Sequence, residues 1–492
     1  MTETDEMTDP MSSSIPVLMS WVDGAWRAGP DEAAQHNPAR PGEVVARTMQ
    51  ADAATVHQAV AVARAAGVSW ARQAPADRAE VLAATAALLE ERAQEIATDL
   101  AREEGKTRLE AVAEARRGAE ILRYFAGQAA YEPDGSTFPS RREGELLYAR
   151  RVPVGVVAAI TPWNFPLAIP VWKIAPALAF GNTVVWKPAE LVPMTSTRLM
   201  RAFLDAGLPA DVLQMVLTSG AVAGEVLVGH EDVHAVTFTG SNTTGRAVTA
   251  RAARFGQRVQ AELGGSNAAI VLADADLPAA AQMVARGAFL SAGQKCTATS
   301  RIIVEEVVAD AFTEHLIRCT DALALGDPLD DSVDVGPLAS AARAQDVLAA
   351  VTEAERAGRR LTRRAPGDVP DGAFVAPTVI ADLPGGHPLL VEETFGPVAA
   401  LVRATSLDDA IRLANDSRYG LTAAVYTASA SAALRCAEEL DVGMVKVNQE
   451  TPGNDVHVPF GGTRASAYGP GEQGKAAQEF FTAWKTVYLR GV

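Results

Sequence analysis

Apolar residues in the amino-terminal part of the chain recur every three or four positions, which is the spacing of amphipathic helices. Val56, Val60 and Ala63 fall on one such face. Asp77 and Glu80 have the spacing of a capping box, so we expect a second helix to begin there. The helix would carry Val81, Leu82, Thr85, Leu88, Leu89 and Ile96.

Two further features mark the limits of this helical region. Gly105 is expected to end the second helix, because glycine readily adopts the left-handed conformation that closes helices. A third helix is predicted over about 107–128, from the apolar residues Leu109, Val112, Ile121 and Leu122. Residues 1–15 are acidic and rich in serine and threonine, and we predict that they form a disordered tail.

From Val152 onward the pattern changes to short apolar strands that alternate with helices, such as a helix over Ala168–Phe180. Continuous apolar strands in this arrangement predict a parallel sheet that is covered on both faces. The strands are predicted at Val154–Ile160, Thr183–Trp186, Leu213–Val216, Ala235–Phe238, Val259–Glu262 and Asn267–Leu272.

The same alternation resumes after residue 300 and predicts a second α/β domain. Its elements are a strand at Arg301–Val304, a helix over about 308–323, and strands near Leu401, at Ala423–Tyr426 and at Met444–Val447. Two segments fit neither sheet. Residues 128–150 have little helical period, and Phe480–Leu489 alternates like a strand. They indicate either an arm that pairs with another subunit or a simple edge strand.

Composition narrows the class of protein. A chain of 492 residues is long enough for two or three domains. The formal net charge of −16 argues against nucleic acid or an anionic membrane as a partner, and solubility is its simplest explanation. No run of about 18 apolar residues and no export signal is evident, so we expect a cytoplasmic protein with reduced thiols. The three cysteines have neither a disulfide nor a zinc spacing, and no metal site is predicted.

Cys296 is the cysteine whose surroundings suit chemistry. It lies in the small, polar segment Ser291–Arg301, which leaves room for a substrate and for backbone N–H groups near the sulfur. Cys319 and Cys436 lie in apolar helical patterns and are interpreted as packing residues. A free thiol has a pKa of about 8.5, so a nucleophilic cysteine needs local activation.

Two other polar residues follow apolar strands, where α/β proteins bind ligands. The amide of Asn164 would hold a developing oxyanion, or would simply form an Asx turn. Glu262, followed by Gly264 and Gly265, would serve as a general base, or as a solvated strand end.

Two segments at strand ends have features of a nucleotide site. Gly240 and Gly245 span a helix start with Ser241 between them, which suits phosphate binding although the spacing is not the usual glycine motif. Lys187 and Glu190 would bind the hydroxyl groups of an adenosine ribose, or would form a surface ion pair.

Together these segments resemble the aldehyde dehydrogenase superfamily over nearly the whole chain. Seven of them occur in the family's order, which makes the resemblance highly specific. They are Thr161–Pro166, Lys187–Glu190, Phe238–Gly245, Glu262–Asn267, Gly293–Arg301, Glu392–Val398 and Pro459–Gly462.

The resemblance implies a set of catalytic roles. Cys296 would be the nucleophile, Glu262 the base that activates water, and Asn164 with the Cys296 backbone N–H the oxyanion hole. Lys173 and Glu472 would form a proton path, although Ala465–Gly474 is one residue longer than the common version.

For the cofactor, the resemblance implies NAD, with NADP possible. Lys187 and Glu190 would bind the adenosine ribose, and the pyrophosphate would lie on the loop of Gly240, Ser241 and Gly245. The nicotinamide end would be bound by Glu393, Phe395 and Trp163.

The fold implied by the family is α/β. A Rossmann-like NAD-binding domain would comprise 16–127 and 151–262, and an α/β catalytic domain 263–462. A small β oligomerisation arm would comprise 128–150 and 463–492, giving a homodimer or homotetramer.

Within the superfamily, the segments around Cys296, Phe165 and Tyr468 resemble 2-oxoglutarate semialdehyde dehydrogenases. Phe165, Trp172 and Phe460 imply a substrate tunnel with aromatic walls, so a neutral aliphatic or aromatic aldehyde is the alternative substrate. Arg117 would either hold a substrate carboxylate or be a solvated side chain. Competing functions are a thiol hydrolase, a non-catalytic family member and a CoA-acylating enzyme.

Overall fold

The computed structural model describes residues 11, 15–131, 135–365 and 367–490. The predicted amino-terminal tail therefore lies almost entirely outside the described residues. The elements up to Pro153 are β1 (Val17–Leu18), β2 (Ser20–Val22), β3 (Ala25–Arg27), β4 (Asp31–Asn37), β5 (Arg40–Gln50), α1 (Ala53–Arg72), α2 (Pro75–Glu91), α3 (Ala93–Glu103), α4 (Arg108–Tyr131), β6 (Gly135–Phe138) and β7 (Glu145–Pro153).

The second part of the chain alternates strands and helices as predicted, with strand ends that differ by no more than two residues. Its elements are β8 (Val156–Ile160), α5 (Ala168–Ala179), β9 (Thr183–Lys187), α6 (Pro193–Asp205), β10 (Leu213–Met215), α7 (Gly220–Val226), β11 (Ala235–Thr239), α8 (Asn242–Arg254), β12 (Arg258–Glu262), β13 (Asn267–Val271), α9 (Leu277–Phe289) and β14 (Thr299–Glu305).

The remaining elements continue this alternation up to a final strand. They are α10 (Glu306–Asp321), α11 (Ala341–Ala357), β15 (Arg359–Arg360), β16 (Thr378–Ala381), α12 (Pro388–Val391), β17 (Val398–Ala404), α13 (Leu407–Asn415), β18 (Tyr419–Gly420), β19 (Thr422–Tyr426), α14 (Ala430–Glu439), β20 (Met444–Val447), β21 (Thr463–Arg464), β22 (Ala467–Tyr468), α15 (Gly474–Phe481) and β23 (Thr482–Arg490).

The predicted capping box is wrong. Helix α2 begins at Pro75, and Asp77 lies inside its first turn. Proline favours the first helical position, because its φ is already helical and the N–H that it lacks would have no partner there. The structure also divides the predicted helix into two, because α2 ends at Glu91 and α3 begins at Ala93. Gly105 follows α3 with a φ of +93°, as a terminating glycine should.

Within the described residues, an eight-stranded sheet has the order β22-β12-β11-β8-β9-β10-β2-β3. Its five central strands are parallel, and β22 and β2 join them antiparallel at the two edges. Both faces are covered: Val157 of β8 packs in one core with Val171, and the adjacent Val156 packs in another with Val248. Covering on both faces is why β8 is apolar throughout.

A second sheet of seven described strands has the order β15-β16-β17-β14-β13-β19-β20 and is parallel except for β15. Asn267 begins β13, and Cys296 lies shortly before β14, which pairs with β13. β12 of the first sheet ends at Glu262, and a short loop leads from it to Asn267 at the start of β13, so the chain passes from the first sheet to the second next to the strand that pairs with β14.

Strands β23, β7 and β6 form a separate antiparallel sheet. It exposes apolar side chains, namely Phe138, Leu146, Trp484, Tyr488 and Leu489. The predicted strand at Phe480–Leu489 begins only at Thr482. Phe480 and Phe481 are both buried at the end of α15, and two successive strand residues would point to opposite faces.

In the described part of the chain, every helix is too short or too polar to cross a membrane.

Candidate active site

The loop that carries Cys296 has a strained backbone. Ser291, Ala292 and Gly293 are consecutive residues with φ values of 55°, 50° and 67°. Such a left-handed run is uncommon for residues with side chains and clusters at functional sites. A Cβ atom at Gly293 would lie 2.2 Å from the Gly396 carbonyl oxygen, so only glycine fits there. The run turns the chain sharply between α9 and β14.

Asn267 holds this loop from the adjacent strand. Its side-chain amide donates to the carbonyl oxygens of Cys296 and Ala298, both at 2.8 Å. Its side-chain oxygen accepts from the Thr422 N–H at 3.2 Å. In the sequence, Asn267 is only the last residue of the segment Glu262–Asn267, and its role was not predicted because the contact joins residues 29 positions apart.

Asn164 lies in the loop after β8, as predicted, and is buried. Its side-chain amide donates to the Gln294 carbonyl oxygen at 2.9 Å, which places it beside the loop two residues before Cys296. Its own carbonyl oxygen accepts from the Lys106 ammonium at 2.6 Å. The amide donor is thus fixed next to the candidate nucleophile, where an oxyanion would form.

The Cys296 thiol is in an environment that favours its neutral form. Burial raises its pKa above the usual range, and the carboxylates of Glu393 and Glu262 raise it further. A thiol must lose its proton to act as a nucleophile. In this arrangement a base has to accept that proton as the sulfur reacts.

Glu262 ends β12 and is 3% exposed. Among the described residues, neither of its carboxylate oxygens has a hydrogen-bond partner. Burial raises the pKa of Glu262 well above its usual range, and Glu472 raises it further, whereas Lys173 lowers it. An unpartnered carboxyl group with a raised pKa has the properties of a general base near neutral pH.

Lys173 and Glu472, predicted to form one path, do lie together. The Lys173 ammonium pairs with the Glu472 carboxylate and also donates to the Thr237 hydroxyl at 3.0 Å. Both side chains are almost fully buried. The pair lies close enough to Glu262 to influence its pKa.

A cavity of about 340 Å³ lies on one side of Cys296. Trp163 and Phe395 form a wall of it, with ring centroids 5.5 Å apart and perpendicular planes. Seven predicted site residues line it, namely Trp163, Asn164, Gly240, Ser241, Cys296, Glu393 and Phe395. The cavity is large enough for one end of a dinucleotide.

Glu393 is fixed at the rim of this cavity. Its carboxylate accepts from the Gly265 N–H at 3.0 Å. A Cβ atom at Gly264 would lie 2.0 Å from the carboxylate, so the glycine allows the close approach. Burial raises the pKa of Glu393 to about 7, against the lowering effect of the Gly265 N–H. The carboxylate is available to accept a hydrogen bond from a hydroxyl group.

The glycine loop after β11 is shaped by packing. The Ser241 hydroxyl caps α8 and accepts from the Thr244 N–H at 3.3 Å. A Cβ atom at Gly245 would lie 2.2 Å from a methyl group of Leu263, so glycine lets α8 pack against the sheet. A Cβ atom at Gly240 would lie 2.7 Å from the Phe238 ring. The loop thus leaves the helix N-terminus open towards the cavity.

Lys187 and Glu190 lie at the end of β9, outside the 340 Å³ cavity. Their charged groups are 3.6 Å apart, and Lys187 is buried whereas Glu190 is exposed. The Glu190 carboxylate also accepts from the Gly220 N–H at 2.9 Å, so α7 holds it in place. Burial lowers the pKa of Lys187, and Glu190 raises it.

A second cavity of about 420 Å³ lies on the other side of Cys296. Phe165, Trp172, Phe460 and Arg117 line it, as predicted, and the rings of Trp172 and Phe460 are 5.6 Å apart. Arg117 is not simply solvated. It lies 3.0 Å from Glu120 and donates to the Asn454 carbonyl oxygen.

The two cavities share Cys296 and Ile169, so the sulfur lies at their junction. Two cations on the wall of the second cavity, Lys106 and Lys295, were not predicted as site residues. The sequence did contain one indication that Lys295 is a site residue, since it directly precedes Cys296.

These features describe an α/β enzyme with a half-buried cysteine between a nucleotide-sized cavity and a tunnel. A sequence profile of the Aldehyde dehydrogenase family matches residues 26–487, and the chain belongs to that family. The prediction of an aldehyde dehydrogenase is therefore confirmed.

Individual relatives match over nearly their full length. The chain is 40% identical to an alpha-ketoglutaric semialdehyde dehydrogenase of Bacillus subtilis, covering 96% of this chain and 98% of the relative. It is 40% identical to an alpha-ketoglutarate semialdehyde dehydrogenase of Haloferax volcanii, covering 98% and 99%.

A solved structure, betaine aldehyde dehydrogenase of Staphylococcus aureus in complex with NAD+, superposes with a TM-score of 0.91. It is 31% identical to this chain, and the match covers 96% of this chain and 94% of that one. The predicted fold class is confirmed.

Proposed function

We propose that this protein oxidises an aldehyde to a carboxylic acid with NAD, and that its favoured substrate is a semialdehyde such as 2-oxoglutarate semialdehyde. The observation that carries the proposal is the position of the Cys296 sulfur at the junction of two cavities, with the unpartnered carboxyl group of Glu262 nearby. The relatives named as alpha-ketoglutarate semialdehyde dehydrogenases support the substrate class.

Catalysis begins at Cys296. Its sulfur attacks the aldehyde carbon and forms a tetrahedral thiohemiacetal, while its proton passes to a base. The negative charge that develops on the oxygen is stabilised by the Asn164 amide and the Cys296 backbone N–H. Because the Gln294 carbonyl already holds the Asn164 amide, the donor needs little reorganisation.

Oxidation leaves an acyl group on the sulfur, and water must then remove it. Glu262 accepts a proton from that water, which attacks the thioester and releases the acid. Lys173 and Glu472 then carry the proton away from Glu262. Their buried ion pair supports this role, because it already influences the Glu262 carboxyl group.

The residues around the first cavity fit a dinucleotide. When bound, NAD supplies the hydride acceptor that turns the covalent adduct into a thioester. Trp163, Glu393 and Phe395 would hold its nicotinamide end, and the open N-terminus of α8 its phosphates. Gly240, Ser241 and Gly245 form that loop, and Lys187 and Glu190 would bind the adenosine ribose.

A neutral aldehyde is the alternative substrate. The neighbouring rings of Trp172 and Phe460, which are tilted by 35° to each other, favour a neutral substrate, because apolar walls gain free energy by burying a hydrocarbon chain. The cationic side chains on the wall of the same tunnel favour an anionic substrate instead. Phe165 and Arg117 line the tunnel in either case.

We also infer a cytoplasmic homodimer or homotetramer. The exposed apolar residues on β6, β7 and β23 support an arm that pairs with another subunit, since such side chains seldom face water together. On this proposal the arm comes from 128–150 and 463–492, 16–127 and 151–262 bind NAD, and 263–462 form the catalytic domain. Within the two arm segments only β6, β7 and β23 form the separate sheet, because β22 pairs with β12 and the end of α15 packs in the core of the eight-stranded sheet.

An assay with purified protein, NAD and a panel of aldehydes tests the function. We expect nicotinamide reduction without CoA, total loss in Cys296→Ala, and full activity in Cys319→Ala. If Cys296→Ala still binds NAD, its loss of activity is due to the missing nucleophile and not to misfolding of the cofactor site. Activity that requires CoA, or that survives in Cys296→Ala, would contradict the proposal.

A further inference from the structure

Five charged side chains line the tunnel cavity on the substrate side of Cys296. They are Lys106, Glu110, Glu114, Arg117 and Lys295.

Four of these charges are held by partners. Lys106 and Glu114 pair with each other, and Glu114 also accepts from the Leu167 N–H at 2.8 Å. Glu110 accepts from the Ser291 hydroxyl, and Arg117 pairs with its neighbour on the helix. These groups mainly build the wall of the tunnel.

Lys295 differs from the other four. Its backbone carbonyl accepts from the Ala298 N–H at 3.0 Å. Its ammonium makes no hydrogen bond and no ion pair with any of the described residues. Burial lowers the pKa of Lys295, and the more distant carboxylates of Glu110 and Glu450 raise it. A partly buried ammonium without a close partner pays a desolvation cost that an anionic ligand would offset.

The position of Lys295 relative to the reacting atom is fixed. It directly precedes Cys296, whose carbonyl oxygen is held by Asn267 at 2.8 Å. Different carboxylates act on the two side chains: Glu393 and Glu262 affect the Cys296 thiol, whereas Glu110 and Glu450 affect Lys295. Lys295 lines the tunnel cavity and does not line the cofactor cavity, so its side chain lies on the tunnel side of the loop.

We propose that Lys295 is a specificity-determining residue, whose ammonium binds the carboxylate at the far end of a semialdehyde while the aldehyde carbon lies at Cys296. The inference rests on the proposed function and adds the residue that selects the substrate class. A neutral aldehyde leaves the ammonium without a partner, so the same group that attracts an anionic substrate disfavours a neutral one.

Steady-state kinetics of the full-length enzyme with NAD test this inference. Lys295→Met removes the charge and keeps most of the length, and Lys295→Arg keeps the charge. Arg359→Met is the matched control, because Arg359 is an exposed cation paired with Asp382. Succinate semialdehyde and butanal are the paired substrates, since both have four carbons and only one carries a carboxylate; 2-oxoglutarate semialdehyde is the third.

We expect Lys295→Met to lose about 10- to 100-fold in kcat/KM for both semialdehydes, mainly through KM, because a charge-assisted hydrogen bond is lost. Butanal oxidation should be unchanged or improved. Lys295→Arg should retain most of the preference, and Arg359→Met should behave as the wild type.

Equal losses for butanal and the semialdehydes would overturn the inference and make Lys295 a support of the nucleophile loop. Unchanged kinetics in Lys295→Met would overturn it as well, and so would a wild-type enzyme that prefers butanal. A wild-type enzyme inactive with NAD and every aldehyde would instead contradict the proposed function itself.

Discussion

Lys173 and Glu472 lie 299 positions apart in the chain and form a buried ion pair beside Glu262. Lys173 comes from α5, and Glu472 from the loop before α15. The two charges act on the Glu262 carboxyl group in opposite directions, since Glu472 raises its pKa and Lys173 lowers it. Substitution of one or the other member of the pair should therefore shift the pKa of Glu262 in opposite directions, while Glu262 itself is unchanged.

Glu472→Gln should lower the pKa of Glu262, because a like charge is removed and Lys173 is freed to stabilise the carboxylate. Since the ionised form is the base, thioester hydrolysis should then reach half its maximum at a lower pH than in the wild type. Lys173→Met should move that midpoint to higher pH. Single-turnover hydrolysis rates across pH measure both effects.

Because each variant leaves one buried charge without its partner, melting temperatures must accompany these measurements. The double variant Lys173→Met/Glu472→Gln restores neutrality and is the control. Midpoints that move in the same direction in both single variants would contradict the assignment.

Glu262→Gln should still transfer one hydride per active site and then stall as the acyl-enzyme. Loss of a general base slows the step it serves by about 100- to 10,000-fold. Stopped-flow detection of reduced nicotinamide should show a burst followed by slow turnover, and intact-protein mass spectrometry should show the acyl group on Cys296. Absence of the burst would mean that Glu262 already acts in the attack of the sulfur.

The same variant should be more stable than the wild type above neutral pH. The pKa of Glu262 is higher in the folded than in the unfolded protein, so the wild type loses stability as the pH rises through the interval between the two values. The neutral glutamine avoids this loss. We expect its melting temperature to exceed that of the wild type by more at pH 8 than at pH 4. A difference independent of pH would contradict the raised pKa.

Asn267→Ala should reduce kcat while leaving NAD affinity unchanged. The substitution removes the two hydrogen bonds that hold the carbonyl oxygens of Cys296 and Ala298. Displacement of a nucleophile by about 1 Å costs up to about 100-fold in rate. Burst rates should fall and the alkylation rate of Cys296 should change. Asn448→Ala, in the turn after β20, is the control for loss of an asparagine.

Glu190→Gln should weaken the preference for NAD over NADP. The carboxylate of Glu190 is held by the Gly220 N–H where it would repel a ribose phosphate. Removal of one charge should narrow the ratio of kcat/KM values for the two cofactors by about tenfold. A wild-type enzyme that uses both cofactors equally would show that Lys187 outweighs Glu190.

The order and type of the central strands and helices followed from local pattern. Continuous apolar strands such as β8 are recognisable because both of their faces are buried, which leaves no polar alternation. Strands β1 to β5 were missed. β1, β2 and β3 have only two or three residues and carry too little periodicity. β4 and β5 have 7 and 11 residues, but most of these are exposed or half-buried, so neither strand has a continuous apolar run. The end of α15 was misassigned because two adjacent buried phenylalanines read equally well as a strand.

For the active site, the sequence by itself determined which residues have reactive chemistry. Cys296 stood out for its small, polar neighbours, and Asn164 and Glu262 for their places at strand ends. These three residues could be identified because residue type and local context are properties of the linear chain.

Only the tertiary structure decided how those groups are held and which way their neighbours face. The contact of Asn267 with Cys296, the pairing of Arg117 with Glu120 and Asn454, and the open ammonium of Lys295 all depend on how distant segments pack. Spacing along the chain does not encode these distances, because each is set by side chains from several elements that meet only after folding.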